Sequence, residues 1–186
     1  MQEEQHNRID EIKITLNLPL YTTNALLLRK VILRHQHRIL QELITLKVDL
    51  DDYNPTTYRN PLVVAAHCNN EFAFQLLIDT KVTVTPALAV GELIPFLIKK
   101  RQNVMLKSLL QSDMAMDIDS VDIPILGIPL IAHAISTNNL EALIILIEVG
   151  ANVNAKFRDI TPLDFAEILH RTEMIAVLTK AGGKPA

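Results

Sequence analysis

Residues 150–166 read GANVNAKFRDITPLDFA. Asn152, Asn154, Lys156, Arg158, Asp159 and Asp164 crowd together here, as the polar groups of an active site would. The order of residue types favours a different reading. Gly150 suits the positive φ on which helices commonly end. Thr161-Pro162 suits a helix start. The Thr hydroxyl can accept from a free backbone N–H of the first turn, and the N–H that proline lacks would have no partner there. Between them, NVNAKFRD is a polar projecting finger. The stretch is therefore read as a joint between two copies of one structural unit.

Working outward, proline marks a period. Pro61, Pro95, Pro129 and Pro162 are 34, 34 and 33 residues apart. Three of them open similar strings, NPLVVAAHCNN, IPLIAHAISTNN and TPLDFAEILHR; the fourth, IPFLIKKRQN, is a poorer copy. Each leads into a Leu/Ile-rich segment: FAFQLLI, VMLKSLL, LEALIILI and EMIAVLT. One period earlier, NALLLRKVILRHQH and RILQELI repeat the pattern without proline. Five helix–turn–helix units with extended connectors account for residues 24–183. Such a period is a solenoid signature, because one unit cannot bury its apolar face alone. Asn69-Asn70 and Asn138-Asn139 fall where the first helix ends and the second begins, and Asn tolerates the left-handed conformation of such a turn. Gly182 follows the last helix as Gly150 follows the one before.

These residues carry a resemblance. The fifth unit, DITPLDFAEILHRTEMIAVLTKAGG, and NNLEALIILIEVGANVNAKF of the fourth resemble ankyrin repeats. The second unit is a fair copy and the first and third are degenerate. The family's usual His after Pro-Leu is Asp164 here and Val63 in the second unit. With only five glycines, several turns are built from Asn or other residues. Unit 4 fits best with Leu130, not Pro129, in the usual proline place. The resemblance implies an all-α fold, a solenoid of helix–turn–helix units with short finger loops. Residues 1–22 form an N-terminal segment on the first repeat. Residues 23–186 form the repeat domain, with units at about 24–54, 55–86, 87–122, 123–155 and 156–186.

Helix patterns separate inner units from ends. LEALIILIEV is apolar nearly all round, which implies burial on several sides. In the fifth unit Met174, Ile175, Val177, Leu178 and Ala181 form one stripe, the pattern of a terminal cap, and Ile39, Leu40, Leu43 and Ile44 do the same in the first. On this pattern the solenoid ends where the chain does. IKITLNL alternates as a strand would, while Ile9, Ile12 and Leu16 fit a helix face. A short helix or an extended segment covering the first repeat is expected.

Composition limits the function. A net charge of −3 over 186 residues supplies no field suited to a nucleic-acid backbone. A single cysteine, Cys68, excludes an internal disulfide. MQEEQHNRIDEIK has no apolar signal core, and no apolar run approaches the roughly 20 residues that span a bilayer. The chain reads as cytoplasmic or otherwise intracellular. His67 and Cys68 are adjacent, so on a helix they diverge and make no nucleophile–base pair; Cys68 reads as a packing residue. His35 and His37 fall in the first inter-helix turn, His133 on a first helix and His170 in a turn, at no metal-ligand spacing. Asp49, Asp51, Asp52, Asp113, Asp117, Asp119 and Asp122 recur in connectors and read as turn residues. Arg29, Lys30 and Arg34, then Lys99, Lys100 and Arg101, cluster on first helices. Lys99-Lys100 falls near the family's two-alanine place, so one of the pair is expected to point inward and to weaken unit 3.

The expected function is non-catalytic binding of another protein, with no cofactor, no metal, no nucleic acid and no membrane insertion. Solenoids of this kind present a concave surface of fingers and first helices. Hot spots favour aromatic and arginine side chains. On that face these are Tyr53, Tyr58, Arg59, Arg101, Phe157 and Arg158, with His67 beside them. An apolar finger, DIPILGIP, would extend it through Ile123, Ile125 and Leu126. Degenerate stand-alone arrays also resemble effectors that intracellular bacteria deliver into host cells. A further alternative is an anionic surface bound through the basic patches.

Overall fold

Helix starts, stops and turn residues fall almost everywhere the sequence puts them in the computed structural model of the chain, which describes residues 2–50, 60–82, 89–112, 118–119 and 128–186. Two compact units result, residues 1–83 and 84–186. In the first, α1 (Gln2–Thr15) precedes two helix pairs: α2 (Asn24–Leu33) with α3 (His37–Thr45), and α4 (Pro61–His67) with α5 (Glu71–Asp79). The second holds three pairs: α6 (Ile94–Lys100) with α7 (Asn103–Gln111), α8 (Leu130–Ser136) with α9 (Leu140–Glu148), and α10 (Pro162–Ile168) with α11 (Thr172–Lys180). Within each unit first helices pack on first helices and second on second: α2 on α4 and α3 on α5, then α6 on α8 on α10 and α7 on α9 on α11. The fold is thus all-α with repeated helix–turn–helix units, as expected. Among the described residues the only β contact is an antiparallel bridge between Phe157 and Ile160.

The N-terminal segment is a helix. Its period-3.6 face wins over the alternation because Ile12 and Leu16 are buried on that face, with Leu18 just beyond. Arg8 Nε donates to Glu42 Oε1 on α3 at 2.5 Å, and the Gln5 amide donates to the Leu46 carbonyl. Lys13 is buried, but its Nζ keeps Asp10 Oδ1 at 3.1 Å and the Leu20 carbonyl at 2.9 Å.

One left-handed residue ends every first helix: His35, Asn69, Arg101, Asn138 and His170, all with φ between 51° and 56°. Lys47, Lys81, Gly150 and Gly182 do the same after second helices. A non-glycine residue there costs about 1 kcal/mol. The following N–H offsets it by bonding five residues back, as Asn70 does to Ala65 at 2.9 Å and Asn139 to Ala134 at 2.9 Å.

These turns fix the register. Eight positions before Asn69, Arg101, Asn138 and His170 stand Pro61, Leu93, Leu130 and Pro162. Leu130, with Pro129 as N-cap, therefore holds the proline place in unit 4. Pro95 does not hold it in unit 3. It stands two residues further on, because a π-helical turn, Ala89–Leu93, precedes α6. That shift corrects the expectation for Lys99 and Lys100. Both are exposed, and Leu97 and Ile98 are buried where Ala65 and Ala66 sit in unit 2. Burying each Leu or Ile contributes about 1.5–3 kcal/mol, so α6 has an apolar core of its own.

Two buried asparagines tie neighbouring pairs together. Asn70 Oδ1 accepts from Ala73 N at 3.1 Å, and its amide donates to the Ile32 carbonyl at 2.9 Å. Asn139 repeats this with Ala142 N at 3.1 Å and the Ile98 carbonyl at 2.9 Å. The three other such positions, Gln36, Gln102 and Arg171, give α3, α7 and α11 no side-chain cap.

Candidate binding surface

Residues 157–160 form a two-residue hairpin. Phe157 N donates to the Ile160 carbonyl at 3.1 Å, and Ile160 N to the Phe157 carbonyl at 3.0 Å. Arg158 and Asp159 both take positive φ, 47° and 64°, the geometry of the primed turns that suit twisted strands. Arg158 is exposed at the tip. Phe157 is half-buried and meets the Phe165 ring of α10 edge-on, with centroids 5.1 Å apart. The finger is thus propped on the helix it precedes. Thr161 then caps α10: its Oγ1 accepts from Asp164 N at 3.2 Å, and Asp164 Oδ2 accepts from Thr161 N at 3.1 Å. Bonds from the Thr161 hydroxyl and backbone hold the Asp164 carboxyl below the usual carboxylate range.

The C-terminal residues fold back on this finger. Lys184 N donates to Asn154 Oδ1 at 2.8 Å, the Asn154 amide to the Gly182 carbonyl at 3.2 Å, and Ala186 N to Asp164 Oδ2 at 3.0 Å. On the preceding side Asn152 N donates to Asp119 Oδ1 at 2.8 Å. Asp119 is thus a turn acceptor between connectors. Asp51, Asp52, Asp113, Asp117 and Asp122 lie outside the described residues.

The structure brings together only part of the expected contact set. Phe157 and Arg158 share the finger at the N-terminal end of α10. Arg101 belongs to the other end of the first helices. It is the exposed left-handed residue after α6, and its Nη2 donates to the Asn138 carbonyl in the turn after α8 at 2.8 Å. Seven helical residues separate finger from turn in the α10 pair, about 10 Å at 1.5 Å each. His67, the exposed last residue of α4, stands at the corresponding end in the first unit. Tyr53, Tyr58, Arg59, Ile123, Ile125 and Leu126 lie outside the described residues.

No family model matches the chain, and no curated protein matches it. Among solved structures it is similar to the crystal structure of the ankyrin repeat domain of Bcl-3, described as a unique member of the IkappaB protein family. The two share 20% sequence identity over 84% of this chain and 86% of that one, with a TM-score of 0.47.

Sequence reasoning missed the row of turns in the second unit. A groove of about 440 Å³ runs there between Arg101, Asn103, Glu141, Ile144 and Glu173, and a neighbouring one of about 350 Å³ continues past Asn138 and Leu140 to His170–Met174. Asn103 organises its wall, donating to Glu141 Oε2 at 2.7 Å and accepting from the Asn139 amide at 2.8 Å. The signal was the repeated polar start of the second helices, but a groove needs three turns in contact, which no single unit shows.

The remaining singled-out groups are accounted for locally. Cys68 is half-buried, its Sγ 3.5 Å from the Ala65 carbonyl, and burial pushes the thiol up, away from reactivity. His37 Nε2 lies 3.1 Å from Asn70 Oδ1 and its ring stacks on Phe72 at 4.4 Å. Among the described residues no three His, Cys, Asp or Glu side chains are placed to hold a metal ion, and no helix is long and apolar enough to cross a membrane.

Proposed function

We propose that the chain is a non-catalytic protein-binding module whose partner meets the fingers and the exposed ends of the first helices. The observation that supports this most is the 157–160 hairpin. It presents Arg158 from a backbone closed by two hydrogen bonds and braced on Phe165, so little entropy is lost when a partner engages it. The family resemblance of the repeats points the same way, by analogy of fold. The partner is another protein, met inside a cell; Tyr53, Tyr58 and Arg59 are proposed as its contacts on the connector three repeats earlier in the sequence pattern.

Affinity capture with mass spectrometry identifies the partner, and substitution then tests the face. Replacing Tyr58, Arg59 and Arg158 by alanine weakens binding at least about tenfold, or 1.4 kcal/mol, with little change in melting temperature. Phe157 is left out of this set because its removal unseats the finger. Binding that survives these changes but is abolished by Glu141→Ala or Glu148→Ala, on a second helix, rejects the assignment. A steep fall of affinity with salt, together with capture by anionic vesicles or RNA, would instead support an anionic surface bound through Arg29, Arg34 and Lys99–Arg101.

A further inference from the structure

His133 lies in the middle of α8 and is only 6% exposed. Its Nε2 is 3.2 Å from the carbonyl oxygen of Pro95, on the facing helix α6. A carbonyl only accepts, so Nε2 carries the proton and Nδ1 is a bare lone pair. Nδ1 is buried and has no hydrogen-bond partner among the described residues. Protonation would place a second N–H and a full charge where no described residue accepts either. The helices packed on α8 carry Lys99 and Lys100 (α6), Glu141 and Glu148 (α9), and Asp164 and Glu167 (α10). Of these, only Lys99 acts on the ring, and its charge opposes a second positive one. Burial is the larger cause lowering the ring's proton affinity, and the Pro95 bond works the other way. The same place in α4, five residues before the left-handed turn, holds apolar Val64. Pro95 itself has no N–H to tie the start of α6 to the π-helical turn before it.

We propose that His133 is an acid-released latch between α6 and α8 of the second unit. Above the ordinary histidine range the neutral ring holds the two helices through its bond to Pro95. As the pH falls, a solvent proton taken up at Nδ1 is accommodated only when the helices part and the imidazolium reaches water. The opening also strains the Arg101–Asn138 bridge, because Arg101 ends α6.

The test uses the intact chain. Histidine ring resonances and amide exchange are followed by NMR from about pH 7.5 to about pH 5, a range that spans the ordinary histidine value near 6.5. His133 stays neutral below the ordinary histidine range. After correction for intrinsic exchange, protection of residues 94–100 and 130–136 falls by up to about tenfold per pH unit below the ordinary value, while α2–α5 keep theirs. His133→Val removes this fall. Lys99→Met weakens it, since without the opposing charge the folded ring accepts a proton more readily. A His133 that titrates in the ordinary range with both helices still protected overturns the proposal, as does a folded His133→Val protein that loses protection identically. Should that variant not fold, the wild-type titration decides alone.

Discussion

At the residue scale, the two asparagines Asn70 and Asn139 carry much of the repeat geometry. Each amide caps a second helix and reaches back to the carbonyl of the previous first helix, which is otherwise a buried acceptor with one fewer partner. Asn139→Ala removes a cap, about 1 kcal/mol, and breaks buried bonds whose loss adds about 1–2 kcal/mol more. Denaturant unfolding is expected to show the sum, with an unchanged slope. Arg171 occupies the same position before α11, its Nε buried without a hydrogen-bond partner among the described residues. Arg171→Asn can cap Met174 N and is expected to stabilise the protein by about 1 kcal/mol; a lower melting temperature would contradict it. Asp164 gives a pH signature. Its depressed carboxyl stabilises the fold above the ordinary carboxylate value, and that contribution is lost as pH falls through the depressed one. Thr161→Ala should therefore flatten the stability-versus-pH curve in the acid range below pH about 4. The positions of Asn69-Asn70 and Thr161 could be read from sequence, because turn and cap chemistry is local. The amide's second bond could not, since its acceptor lies a full repeat away.

At the element scale, the finger and α6 make the contrast. Arg158-Asp159 is a poor pair for a turn in which both central residues take positive φ; Asn-Gly is the favoured one. The double change Arg158→Asn, Asp159→Gly is expected to raise stability by about 1 kcal/mol, and a drop in melting temperature would show that the hairpin is mis-assigned. Phe157→Ala loses the edge contact with Phe165 and part of its burial, about 1–3 kcal/mol in all, and should appear as faster amide exchange at Ile160. That a finger exists between Gly150 and Thr161 followed from the sequence. That the Phe157 ring meets Phe165 edge-on did not, because ring contact depends on the angle at which the hairpin meets α10. For α6 the proline period was misleading: Pro95 keeps the spacing while the π-helical turn moves the helix by two positions. Periodicity of one residue type records spacing along the chain, whereas burial of Leu97 and Ile98 records spacing around the helix.

At the scale of the whole molecule, stability of a stacked array is roughly a sum over units and their neighbours. The start of α6 lacks a backbone donor at Pro95 and follows a π-helical turn, so residues 89–100 are expected to exchange faster than residues 139–149. Equal protection across both stretches would contradict this. The packing also separates residues 1–83 from 84–186. Probes placed one in each, for instance at Tyr21 and at Phe165, are expected to report different denaturation midpoints; superimposable curves would mean that the two melt as one.

The sequence by itself determined the helix–turn–helix plan, the left-handed turn positions at Asn69, Asn138, Gly150 and Gly182, the cap at Thr161 and the place of Leu130. Each of these follows from bonds made within a few residues, where local chemistry suffices. Tertiary structure alone decided that Lys99 and Lys100 face solvent, that Arg101 and Phe157 lie at opposite ends of the first helices, and that His133 is closed in against Pro95. Those outcomes depend on how one helix rotates against the next, and that rotation is set by apolar side chains a repeat apart filling a shared core.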